Sequence, residues 1–190
     1  MSEADRARWD SNYAGRTSEA VPACELLSAH HYLLPPTGAA LDLACGLGGN
    51  ARLLAAHGLE TLAWDIAPNA IDALNTLHLP RLHAEVRDVC VAPPPPDRFD
   101  VIVVSRFLDR ALCPAIAAAL RPDGLLFYQT FVREAVNDHG PRNPAYRLAP
   151  GELLALFADL RPLHYSDLGT TGDTTKGIRD QAWLVATRRT

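Results

Sequence analysis

The chain has 190 residues, 48% of them hydrophobic and 21% charged, which suits one folded globular domain and excludes a largely disordered or fibrous chain. Its net charge is −4, and no lysine/arginine block marks a phosphate-tracking surface, which speaks against nucleic acid as a partner. No window approaches the ~20 apolar residues that cross a bilayer, and the opening MSEADRARWD is polar, without a signal-peptide core, so no membrane partner and a cytoplasmic location are expected.

Taken in order, residues 22–33 read as a helix broken by Pro35-Pro36-Thr37-Gly38. Residues 39–44 form an apolar run fit for a buried strand, with Asp42 inside it; Gly46 to Gly49 make a glycine-rich turn, and residues 50–57 read as a helix ended by Gly58. A second strand over 59–64 ends at Asp65, and a helix over 68–77 starts with Pro68 in its first turn. A third strand, 82–87, ends at Asp88. The prolines at 93–96 allow only an extended connector, since proline lacks the N–H that a ladder or helix needs. Residues 99–104 are the most β-branched segment and predict a central parallel strand. A helix over 111–120 is stopped by Arg121-Pro122-Asp123-Gly124, and a fifth strand covers 125–131.

The pattern then changes. Residues 132–149 are polar and carry Pro and Gly, which predicts a long loop. A helix over 152–160, a strand over 163–167, a Gly/Thr-rich loop over 169–177 and a last strand over 181–187 follow. Strands alternating with helices predict an α/β fold with a Rossmann-like, doubly wound and mostly parallel sheet. The closing strands have no helix between them, which predicts an antiparallel C-terminal edge strand. There is no repeat and no compositional break, so residues 1–190 read as one domain.

Open parallel sheets bind ligands beyond the carboxyl ends of their strands. That is where the informative residues fall. Glycines after the first strand let the backbone turn sharply and approach a ligand closely. Asp65 could accept both hydroxyls of a ribose, and Asp88 a hydrogen bond from an exocyclic adenine amine. Gly46-Leu-Gly48-Gly-Asn-Ala51 also satisfies the dinucleotide pattern G-x-G-x-x-A, so an NAD-dependent oxidoreductase shares these features. Such an enzyme would want a catalytic Tyr-x-x-x-Lys set or a second domain, and neither is evident.

The ensemble resembles the class I S-adenosylmethionine-dependent methyltransferases. The likeness is carried by LDLACGLGGNARLLAAHG (41–58), LAWDIAPNAI (62–71), RDVC (87–90), FDVIVVSRFL (99–108) and LRPDGLLFYQTF (120–131), in the family's order. Asp42, four residues before Gly46, is a mark of that family, whereas Asp123 stands where its turn usually has glycine. Trp9-Asp10 with Tyr13, and the form of the 41–71 segment, are similar to tellurite-resistance-type small bacterial methyltransferases.

The resemblance implies S-adenosylmethionine as cofactor. Ala44, Cys45 and Gly46 would contact its methionine part, with Asp42 and Asn50 beside it. Asp65 would take the ribose, Ile66 would pack on the adenine, and Asp88 and Val89 would read the adenine edge. Ser105 would lie near the reacting methyl, and Tyr13 could close over the site. It also implies a division into a cap segment (1–38), a cofactor core (39–131) and an acceptor-side loop with closing strands (132–190). A small-molecule acceptor is expected, because so short a chain leaves little room for a recognition domain. An S-adenosylmethionine-binding protein without turnover is the alternative.

Nothing in the sequence demands a catalytic base. His139 and Arg106 are the weak candidates for catalysis. Arg106, Phe107, Arg133, Arg142 and Tyr146 are the candidates for the acceptor, and the arginines of the 132–149 loop, Arg147 among them, could either hold an anionic acceptor or be solvated surface. The cysteines Cys24, Cys45, Cys90 and Cys113 form no CxxC pair and no zinc-like spacing with histidine, so no metal site is expected and buried thiols in a reducing compartment are. Lys176 is the only lysine among 18 basic residues, which reads as genomic base composition rather than adaptation.

Overall fold

The computed structural model of the protein describes residues 3–137 and 139–189. Seven strands form one sheet: β1 (Ala39–Leu43), β2 (Glu60–Asp65), β3 (Leu82–Val86), β4 (Phe99–Ser105), β5 (Leu120–Phe131), β6 (Leu160–Ser166) and β7 (Gln181–Arg188). Their spatial order is β3-β2-β1-β4-β5-β7-β6, with β7 antiparallel to both of its neighbours and the other adjacent pairs parallel. Strand order reverses between β1 and β4, which opens a crevice at their carboxyl ends.

Alternation along β4 shows why the sheet must be covered twice. Val101 and Val103 join Leu26, Leu27 and Leu54, whereas Ile102 and Val104 join Leu112, Ile116, Leu153 and Phe157. The first set belongs to α2 (Glu25–His30) and α3 (Gly49–His57), the second to α5 (Cys113–Ala119), α6 (Glu152–Leu156) and their flanking turns. Successive strand side chains point to opposite faces, so an uninterrupted β-branched run is apolar on both. Helix α4 (Pro68–Asn75) packs beside β2 and β3.

The antiparallel C-terminal strand lies one place in from the edge. β7 inserts between β5 and β6, and β6 takes the margin, where Pro162 is tolerated because an edge strand leaves one side unpaired. Helix α6 stops at Leu156 instead of 160, since Leu160 is already paired with Arg188 at the start of β6. The Arg121–Gly124 turn is absorbed into β5 as an irregularity: Phe99 pairs with Leu120, Val101 with Leu125, and Asp123 takes a φ of 62°. Aspartate is among the few residues that tolerate that region in place of glycine.

The N-terminal segment is helical, α1 (Glu3–Tyr13), a helix the sequence pattern does not announce because it has no continuous apolar face. It is held from outside. Trp9 and Tyr13 pack with Leu47, Ala67 and Ala70, and the Asp10 carboxylate accepts the Asn69 N–H (2.7 Å), capping α4, whose own N-cap position is Ala67. Among the described residues no helix is long and apolar enough to cross a membrane.

Candidate functional site: a cleft at the carboxyl ends of the strands

Three carboxylates follow the first three strands or sit within them, and each organises the turn beside it. Asp42, fully buried on β1, accepts the Ala51 N–H (2.9 Å) and the Asn50 side-chain amide (3.2 Å), which anchors the start of α3. A carboxylate there is favoured by the helix's exposed N–H groups. Burial nonetheless dominates and pushes its pKa up to about 7, with those hydrogen bonds acting in the opposite direction. Asp65, 7% exposed, accepts the Gly46 N–H (2.8 Å) on one oxygen and the Ala67 N–H (2.9 Å) on the other. Burial raises its pKa as well. Asp88 accepts the Cys90 N–H (3.0 Å), and Val89 beside it is buried.

Between Asp42 and Asp65 lies the glycine turn. Gly46 adopts φ 51°, and a Cβ on it would stand 2.7 Å from the Tyr13 hydroxyl, so this position must be bare. Tyr13 thus reaches the turn from α1, and burial together with the nearby Asp65 pushes its phenol up to about 12. Gly49 is bare for a different reason: a Cβ there would meet the Pro22 carbonyl oxygen at 2.2 Å. Ala44 takes a left-handed φ of 56° as β1 gives way to the turn. The backbone of Cys45 is tied in both directions, to the Trp64 carbonyl and the Gly48 N–H. Its buried thiol is pushed well up by burial and by Asp42 and Asp65, which suits a packing residue rather than a nucleophile. Ile66 is half-buried beside Asp65.

Asn50 spends its whole amide inside the protein. Its nitrogen donates to Asp42 and to Ser105 Oγ (3.1 Å), and its oxygen accepts the Cys24 N–H (2.8 Å). It ties β1, β4 and the start of α2 together and positions Ser105 and Asp42. Arg106 follows at φ 57°, its N–H bonded to the Gln129 carbonyl and its side chain exposed. Phe107 is half-buried, and its carbonyl accepts the Tyr128 hydroxyl (3.0 Å).

A second buried amide escaped the sequence reading. Gln129, 0% exposed at the end of β5, accepts the Leu26 N–H (2.9 Å) and donates to Glu25 Oε2 (2.9 Å) and Gln181 Oε1 (2.8 Å). A glutamine ending the apolar run LLFY was the available signal, because a buried polar group must be satisfied. Glu25 itself carried none, since an acid in a first helical turn ordinarily just complements the helix dipole.

The other acceptor-side candidates are not gathered at Ser105. His139 is largely exposed, 3.6 Å from Asp180 in an ion pair. Arg133 and Arg142 line a surface cavity of about 490 Å³ together with Val136, Asn137, Pro144 and Arg147. Tyr146 is exposed on a short turn of 3₁₀ helix. Arg147 is neither a free anion-holder nor solvated surface: it is buried and donates to the carbonyls of Val132, His139 and Pro141. A further cavity, of about 520 Å³, lies at the amino edge of the sheet around Thr61, His83 and Phe99, the end of a parallel sheet away from ligand crevices. Among the described residues no group of three or more His, Cys, Asp or Glu could hold a metal.

This strand order, with a crevice between β1 and β4 flanked by acidic strand ends, defines a Rossmann-like methyltransferase architecture. Residues 40–124 match the methyltransferase domain family. Among solved structures, TehB from Haemophilus influenzae superposes with a TM-score of 0.69 at 20% identity, over 95% of this chain and 67% of that one. A TehB-like S-adenosylmethionine-dependent methyltransferase from Corynebacterium glutamicum gives 0.64 at 20% identity, over 99% of this chain and 100% of that one. An S-adenosylmethionine-dependent methyltransferase from Mesorhizobium loti gives 0.66 at 18% identity, over 85% of this chain and 96% of that one. An uncharacterized protein of Schizosaccharomyces pombe, UNK4.09, is 35% identical over 63 residues, which are 33% of this chain and 19% of that protein. Residues 40–124 are thus similar to a methyltransferase domain, and the chain as a whole shares its fold with these solved structures.

Proposed function

We propose that the protein transfers the methyl group of S-adenosylmethionine to a small-molecule acceptor by in-line displacement, as a single cytoplasmic domain. The carrying observation is the pairing of a bare Gly46 turn with Asp65, a carboxylate 7% exposed that forms no ion pair with a cationic side chain among the described residues. The residues present fit the cofactor. Asp65 takes the Gly46 and Ala67 N–H groups on different oxygens, and a carboxylate's four lone-pair sites leave acceptor capacity for ribose hydroxyls. Asp42, close below the turn, would favour the cofactor's ammonium group. Asp88 and Val89 would border the adenine, Ile66 would pack on it, and Tyr13 would shield the turn from water.

When bound, the sulfonium supplies an already activated methyl whose leaving group is a neutral thioether. What remains for the chain is to orient and to exclude water. Asn50 fixes Ser105 at the end of β4, α1 covers the glycine turn, and Arg106 flanks the mouth. Calorimetry tests the reading: S-adenosylmethionine and S-adenosylhomocysteine should bind and NAD should not, and Asp65→Ala should weaken the first two by about 1.5–3 kcal/mol, the usual worth of hydrogen bonds to a charged group. Folded protein that binds neither adenosyl compound overturns it.

A further inference from the structure

We propose that Glu25, held by the buried Gln129, is the acceptor-binding carboxylate of the cleft, and that it selects an uncharged nitrogen nucleophile bearing an N–H. The proposal rests on the methyl-transfer reading above and names the substrate class that reading leaves open.

Most polar side chains at this end of the sheet are spent on one another. Asp42, Asn50 and the Gln129 amide are consumed by internal hydrogen bonds. Gln181 gives its oxygen to Gln129. The Glu25 carboxylate accepts the Gln129 amide at Oε2, on an exposed residue at the start of α2. Two buried side chains, Asn50 at the start of α3 and Gln129 on β5, fix that start, because the N–H groups of Cys24 and Leu26, which flank Glu25, donate to them. The carboxylate is therefore anchored at both backbone and side chain. Arg106, the other charged group at this mouth, is exposed, and its positive charge helps keep Glu25 ionised without a hydrogen bond to it among the described residues. Of the two charges, Glu25 is the preorganised one.

Glu25 also sits where an acceptor must come. Its partner Gln129 pairs in register with Ser105 on the adjacent strand, and Asn50 holds Ser105 from the side of the glycine turn. As an N–C bond forms from the nitrogen lone pair, the C–S bond breaks and its electrons return to sulfur. Positive charge passes from sulfur to nitrogen, and the N–H becomes a stronger donor. A fixed carboxylate accepting that N–H gains strength along the reaction, which is what acceleration requires. The proton leaves afterwards to water. Gln129 and Arg106 both hold Glu25 below the ordinary carboxylate range, so it is a weak base for a hydroxyl. An anionic acceptor would meet it as a like charge.

The experiment uses the full chain saturated with S-adenosylhomocysteine, so that no turnover intervenes, and reads binding of aniline, N,N-dimethylaniline and benzoate by ligand-observed NMR. Aniline should bind at least about tenfold more tightly than the other two, and Glu25→Gln should erase that advantage, an effect of about the size of one charge-assisted hydrogen bond. Glutamine keeps an oxygen for Gln129, so an unchanged melting temperature and unchanged S-adenosylhomocysteine affinity should accompany the loss. Benzoate binding as well as aniline, aniline binding equally to both proteins, or no probe binding overturns the proposal. Failure of S-adenosylhomocysteine to bind is seen before any probe is added and removes the methyl-transfer reading instead.

Discussion

The β1–β3 side of the carboxyl edge and the β5–β7 side are built by opposite means. On the first, short carboxylates accept backbone N–H groups: Asp42 from Ala51, Asp65 from Gly46 and Ala67, Asp88 from Cys90. On the second, long arginines donate to backbone carbonyls. Arg147 gathers Val132, His139 and Pro141, and Arg179 gathers Gly169, Thr171, Asp173 and Lys176. Carboxylates contribute there too, Asp180 accepting from Val136 and Asn137, Glu152 from Ala149, Asp167 from Gly151 and Asp173 from Thr175. A carboxylate reaches only a turn packed directly against it, so its partner must be a glycine turn or a helix start. A guanidinium reaches far and offers five donors, so its partners can be any carbonyls of a loop. The first arrangement makes a rigid cradle, the second a shaped loop.

The sharpest way to break the cradle is Gly49→Ala. Its new methyl would stand 2.2 Å from the Pro22 carbonyl oxygen, with backbone on both sides of the clash, and should cost about 3 kcal/mol in denaturant unfolding, at the upper end for overpacking. Arg147→Ala attacks the other side. Stranding the carbonyls it serves should cost about 2–3 kcal/mol, and limited proteolysis should begin within residues 132–149 while adenosyl binding stays as it was. Equal damage to both halves would dissolve the distinction between them.

Protonation offers a gentler probe. Asp42 has a folded pKa of about 7, above its unfolded value of about 4, so the native state holds the proton more tightly. Its contribution to stability is full below about pH 4 and is lost as pH rises towards 7. Compared with Asp42→Asn, the wild type should lose stability across that window with a slope approaching about 1.4 kcal/mol per pH unit, the one-proton limit. Unfolding curves at several pH values check this, and parallel curves for the two proteins would refute it. The smallest effect is expected for His139→Ala. An ion pair whose histidine is 78% exposed should change stability by less than about 0.5 kcal/mol. Methyl-transfer rate, once an acceptor is in hand, should be unchanged too; a loss would bring the 132–149 loop into the acceptor site.

Much of the cofactor half could be read from the chain alone. Acids closing successive strands, glycines after the first and a β-branched centre are local patterns, and each is required by the backbone next to it. Asp65 illustrates the limit of such reading. The carboxylate proposed to take the ribose also holds Gly46 and Ala67, so Asp65→Ala should loosen the turn as well as weaken binding. Helix α1 went unread because its stability comes from Trp9, Tyr13 and Asp10 docking on α4 and not from its own apolar periodicity.

By itself, then, the sequence determined the alternation of strands and helices, the two-faced burial of β4 and the acidic strand ends around a glycine turn. All of these follow from hydrophobic period and backbone conformation over a few neighbouring residues. Only the tertiary structure decided that β7 slips between β5 and β6, that Arg147 is an internal clasp, and that Gln129, in register with Ser105, holds Glu25. Those outcomes depend on partners up to about a hundred residues apart, Glu25 and Gln129 being separated by 104 positions, and no local pattern specifies which buried amide will meet which distant carboxylate.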